Sequence, residues 1–141
     1  MGRIPEMLDY YSIELDSAQH ENKISGSLEK NAQDLPGMMS HRFSQLQDIE
    51  AVLKFLEIRY DKMRSVHYRK YLERYNRELS DRAIEKYIDG EQDIVDMQDI
   101  RNEVALTRNK FLALTKGLEN KSFMIGHITR LRVVGVNDAT L

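Results

Sequence analysis

The rhythm of hydrophobic and polar positions divides the chain. Residues 1 to about 35 are polar and poorly periodic, as in SAQHENKISGSLEKNAQD. That composition predicts a polar, flexible N-terminal arm that orders only against something else, with a short helix around Met7–Leu15. Asp34 is placed to cap a helix that begins near Pro36, where a missing N–H costs nothing. From there Leu46, Ile49, Leu53, Leu56, Tyr60 and Met63 fall on an a/d stripe. The next stripe positions are His67 and Lys70, so the seam fails where a basic stretch begins. A straight helix from 36 to 78 would measure about 60 Å, too long for a lone globule of this size, so it needs partners or a bend.

A second helical region follows a break. Ser80 can cap a short helix, Asp81–Ile88, and Gly90 supplies a stop. EQDIVDMQDIRNEVALTRNKFLALTKGLE then reads as a long helix, with Met97, Val104, Phe111 and Leu118 every seven residues and Ile100 and Leu114 between them. Glu91, Asp93, Asp96 and Asp99 crowd its start and Lys110 and Lys116 lie toward its end, the order that a helix dipole favours. SFMIGHITRLRVV fits a final helix or a strand, because its β-branched residues and Gly126 weaken the helical reading. GVNDATL is a loose tail. The expected fold is all-α: a polar arm over 1–35, a helical domain over 36–133 with heptad seams in a helical oligomer, and a tail over 134–141.

Composition narrows the class. A chain of 141 residues with no Trp, two Pro and 31% charged residues makes one domain with a modest core, part of its burial coming from partner subunits. The absence of Cys removes disulfides and thiolate chemistry. No apolar run reaches the roughly 18–20 residues of a membrane span, and MGRIPEMLDYY lacks a signal-peptide core. These features predict a soluble intracellular protein with no membrane role. The formal charge of −2 conceals blocks of −5 over 1–50, +5 over 51–77, −6 over 78–103 and +4 over 104–141. Alternating blocks permit a local anion site, or head-to-tail pairing of subunits.

Catalytic motifs are missing. The four His (His20, His41, His67, His127) are scattered, without H-E-x-x-H or paired helical spacing, so no metal site is expected. DGEQDIVDMQD has the composition of a calcium loop without its spacing. The isolated Gly residues form no phosphate loop, and no Ser sits in a G-x-S-x-G context. The expectation is a non-enzyme without cofactors.

The informative stretch is HYRKYLERYNR, residues 67–77. On a helical wheel of about 100° per residue, Arg59, Lys62, Lys70, Arg74 and Arg77 share about a third of the circumference, with Tyr60, Tyr68, Tyr71 and Tyr75 on the flank. A row of cations follows a phosphate backbone, and tyrosines offer faces on which unpaired bases stack. The candidate nucleic-acid surface is therefore Arg59, Lys62, Tyr68, Arg69, Lys70, Tyr71, Arg74, Tyr75 and Arg77, with Lys121, Arg130 and Arg132 as an extension. The competing reading makes the tyrosines core and the cations a solvated face.

YRKYLERY (68–75), KYIDGEQDIVDM (86–97) and NKSFMIGHITRLR (120–132), in this order and spacing over roughly residues 30–133, resemble the UvsY-like recombination mediators of T-even-like phages. The resemblance implies a non-enzymatic protein that binds single-stranded DNA, forms a homo-oligomeric ring and helps a RecA-like recombinase replace single-strand-binding protein. It implies a cytoplasmic location in the infected bacterium. It carries the family's DNA-contacting cations onto Arg69 and Lys70, and oligomerisation onto the C-terminal region. There the seam of Met97, Ile100, Val104, Phe111, Leu114 and Leu118 is more than one small chain easily satisfies. Two departures stand out: YNRELSDRA lacks the family's Gly-containing loop, and VVGVNDATL extends past the last helix. The rival reading is a structural or adaptor coiled-coil protein, such as a phage assembly or scaffold component, whose charge blocks pair subunits without touching DNA.

Overall fold

The computed structural model describes residues 3–74 and 79–135, and among them every regular element is helical. Helix α1 spans Ile4–Ala18, a 3-10 turn covers Gln19–Asn22, α2 spans Leu28–Arg74, α3 spans Asp81–Asp89 and α4 spans Gln92–Val133. The all-α expectation holds. Two compact units make up the chain: residues 1–47 with 107–141, and residues 48–106. Helices α2 and α4 each contribute to both.

The first unit corrects the expectation of an arm. Within 1–35, α1 buries Tyr11 and Ala18, and the Tyr11 ring meets Phe111 edge-on at 5.4 Å. Two buried cations hold the polar residues of this segment. Arg42, 5% exposed, donates from Nε and Nη2 to the two carboxylate oxygens of Glu21 (3.1 and 2.6 Å). Its Nη1 donates to Glu14 and Gln45, both at 2.9 Å. Lys121, equally buried, donates from Nζ to the backbone carbonyl of Glu21 at 2.8 Å. Gly117 leaves room for the Asn22 side chain, since a Cβ there would come within 2.5 Å of it. Leu35, Leu118 and Ile125 complete the core beside Ile24, Leu28 and Met39.

Helix α2 begins eight residues before Pro36. Ser27 opens it, its hydroxyl accepting from the Lys30 N–H at 3.3 Å and its carbonyl from the Asn31 N–H at 3.1 Å. Pro36 is thus interior, and the carbonyl of Ala32 loses its helical donor. Both residues are exposed, so that carbonyl is not sealed in the core. At the other end, the region left between helix and strand is helix: α4 continues through Gly126 to Val133.

In the second unit Leu53, Leu56, Met97 and Val104 are buried. Tyr71, Ile84, Ile88 and Ile94 form a cluster flanked by Tyr60, Met63, Tyr68 and Leu79. Ser80 caps α3 as expected, its hydroxyl accepting from the Ala83 N–H at 3.2 Å, and Gly90 ends it. Ile84 and Ile88, each 1% exposed, plant α3 in the cluster, which leaves its acidic residues toward the rim.

The seam assigned to subunit contacts is used inside the chain. Met97, Val104, Phe111, Leu114 and Leu118 are buried and Ile100 is half-buried. A partner has little of these side chains left to cover.

Candidate nucleic-acid interface

All the side chains of the candidate surface that fall within the described residues belong to α2 in the second unit. The structure sorts them into two sets. Tyr75 and Arg77 lie outside the described residues.

The inner set faces α3 and the start of α4. Lys70 donates from Nζ to Glu91 at 2.8 Å and lies 4.9 Å from the centre of the Tyr71 ring. Tyr71, 7% exposed, donates its hydroxyl to the same Glu91 oxygen at 2.6 Å, and its ring stacks on Tyr87 at 5.5 Å. Tyr68 donates to Asp81. Two residues outside the candidate list join them. Arg64 donates to Asp89 at 2.8 Å and also pairs with Glu85. His67 faces Asp93 through Nε2 at 2.8 Å and Glu91 through Nδ1 at 3.7 Å. Five carboxylates thus engage five side chains of α2.

These contacts shift titrations. Glu91 is held below the ordinary carboxylate range, chiefly by the hydrogen bond from Lys70 and then by that from Tyr71. The hydrogen bond to Asp81 raises the Tyr68 hydroxyl. For Arg64, burial works against the charge, but the hydrogen bonds to Asp89 and Glu85 outweigh it and raise its pKa. His67, Glu91 and Asp93 bring ligand-type atoms within 4.8 Å of one another. Nε2 of His67 lies 2.8 and 2.9 Å from the two oxygens of Asp93, its Nδ1 is buried without a hydrogen-bond partner, and Lys70 donates to Glu91.

The outer set is Arg59, Lys62, Arg69 and Arg74. All four are exposed, and no carboxylate of the described residues pairs with them. They run along about 22 Å of helix. The aromatic ring beside them is Phe55, with the Arg59 guanidinium 5.7 Å from its centre. Phe55, Ile58 and Val66 are 52%, 48% and 68% exposed, and with Arg59, Lys62 and Asp93 they line an open groove of about 440 Å³. Sequence reasoning missed these three. The signal was present: they fall off the 46–63 heptad stripe, and an apolar residue off the buried face of an amphipathic helix is exposed.

The proposed extension in the first unit separates. Arg130 and Arg132 are exposed, whereas Lys121 is the buried donor to Glu21. No helix among the described residues is long and apolar enough to cross a membrane.

Searches of protein-family models, curated proteins and solved structures found no match to this chain.

Proposed function

We propose that the protein is a single-stranded DNA-binding recombination mediator, in which the outer cations of α2 take successive phosphates and Phe55, Ile58 and Val66 receive the faces of unpaired bases. The observation that carries this reading is the row of Arg59, Lys62, Arg69 and Arg74, exposed and without carboxylate partners among the described residues. Unpaired cations at helical spacing are a phosphate-tracking surface, and an exposed aromatic beside them is the usual sequence-tolerant stacking platform. Tyr71 is not available for stacking in this conformation, so the base-contacting role moves to Phe55. The resemblance noted in the sequence supplies the biological setting: a RecA-like recombinase and a single-strand-binding protein as partners, a homo-oligomeric ring, and the cytoplasm of an infected bacterium. In such a ring the subunit contacts fall on faces other than the α4 seam, whose side chains are already withdrawn from water.

The test is the variant Arg59→Glu/Arg69→Glu, compared with wild type for binding to a labelled single-stranded oligonucleotide and for mass in solution. Loss of binding by a hundredfold or more with an unchanged mass supports the reading. The exposed apolar groove favours one rival, a structural or adaptor protein that docks another protein there. No binding by wild type at low salt, with a self-assembly or partner complex that Phe55→Asp abolishes, establishes that rival.

A further inference from the structure

The inner and outer cations of α2 differ only in what faces them. On the outer side there is water. On the inner side Asp81, Glu85, Asp89, Glu91 and Asp93 hold Tyr68, Arg64, Lys70, Tyr71 and His67. A carboxylate and a phosphate offer the same thing to a guanidinium, ammonium or phenol: acceptor oxygens carrying negative charge. We propose that the acidic row of α3 and the start of α4 is an internal stand-in for phosphates, which limits the protein's affinity for a single strand and keeps a second set of strand contacts latent. This inference rests on the single-strand-binding reading of the outer cations.

Two features make the row an attenuator and not merely a structural tie. First, three of its carboxylates are accessible, and Glu91 is 25% exposed. The side chains of Asp89, Glu85 and Asp93 are 65%, 53% and 52% exposed, so these pairs sit in high dielectric and an incoming anion can contest them. Second, the helix that bears the first three carboxylates is held by something else. Ile84 and Ile88 are fully buried beside Tyr71 and Ile94, and Ser80 caps the helix. The carboxylates of α3 can therefore be neutralised while the helix stays docked, so their charge is free to act on ligand affinity. While they remain ionised they both occupy the inner cations and repel a strand lying along the outer ones.

The experiment uses Glu85→Gln/Asp89→Asn/Glu91→Gln, whose side chains keep shape and hydrogen-bonding capacity while losing charge. A control of equal net charge, Asp48→Asn/Glu50→Gln/Asp99→Asn, changes carboxylates that hold no α2 cation. Single-strand binding is measured by anisotropy over a salt series. The expected result is binding at least tenfold tighter than wild type at low salt. The salt dependence of log K should also steepen by about 1.4, as the two released cations, Arg64 and Lys70, reach phosphates at about 0.7 each. Adding Lys70→Gln to the triple variant should return about half of that increment. Equal tightening by the control, or an unchanged slope in the triple variant while wild type binds, overturns the inference and leaves the single-strand reading intact. Failure of wild type and both variants to bind at low salt overturns that reading as well. Helicity by circular dichroism checks the triple variant. If it unfolds, Glu85→Gln/Asp89→Asn, which releases Arg64 alone, carries the same comparison with an expected slope change of about 0.7.

Discussion

At the scale of single residues, the structure separates cations that hold the fold from cations that face solvent. Arg42 and Arg64 look alike in sequence, yet the first is sealed among Glu14, Glu21 and Gln45, while the second pairs with two largely exposed acids. Replacing Arg42 with Ala strands Glu21, itself buried, without its partner. The expected loss is about 3 kcal/mol or more by urea denaturation, against about 1 kcal/mol for Arg64→Ala. A smaller loss at position 42 than at 64 contradicts this ordering. Glycines divide in the same way. Gly37 lies mid-helix with open space around its would-be Cβ, whereas Gly117 adjoins Asn22. Gly37→Ala should stabilise by about 0.5–1 kcal/mol through helix propensity. Gly117→Ala should show no such gain, because Asn22 must move. Denaturation midpoints decide both. None of this was legible in the sequence, where neither an Arg nor a Gly shows whether it will be buried against a neighbour.

At the scale of elements, what could be read depended on whether the buried stripe was apolar. Leu46–Met63 and Met97–Leu118 announce their helices because the seam is hydrophobic, and α3 was bounded correctly by Ser80 and Gly90. Outside those stretches the same seam continues with polar residues. Asn31 and Arg42 occupy it in α2, and Lys121 interrupts the run Leu114, Leu118, Ile125, Ile128 in α4. A buried polar residue satisfied by hydrogen bonds reads in sequence as a break, so α2 was started late and the end of α4 was left open between helix and strand. The acidic crowd at the start of α4 was read as dipole compensation. Its Glu91 and Asp93 also pair across to α2, a partnership that periodicity within one helix does not reveal. That pairing has a pH signature. Glu91 and Glu14 both titrate below the ordinary range, Glu14 chiefly through the hydrogen bond from Arg42. A carboxylate with a depressed folded pKa stabilises the protein above its unfolded value and loses that contribution as pH falls through the folded one. Stability should therefore be level near neutrality and decline below about pH 4. Urea midpoints at pH 7 and pH 3.5 test this, and Glu91→Gln should shallow the decline; an unchanged midpoint across that range contradicts the assignment.

For the whole chain, the alternating charge blocks were the most informative feature of the sequence and the most ambiguous. They allowed a polyanion site, subunit pairing, or both. Within the second unit the acidic block of residues 78–103 turns back on the basic block of 51–77 and neutralises its inner side. Among the described residues, the exposed cations Arg59, Lys62, Arg69 and Arg74 keep no carboxylate partner and lie on the helix that exposes Phe55, Ile58 and Val66. Of the seven described members of the candidate surface named from sequence, three, Tyr68, Lys70 and Tyr71, are engaged with the protein itself. The distinction matters because affinity for a single strand depends on how many cations are free to release counterions, not on how many the helix carries. The measurement that tests this most directly is wild-type binding to a labelled single-stranded oligonucleotide across a salt series. Four free cations predict a slope of log K against log salt of about −3, at about −0.7 per phosphate. No binding at low salt, or binding indifferent to salt, contradicts a phosphate-tracking surface on α2.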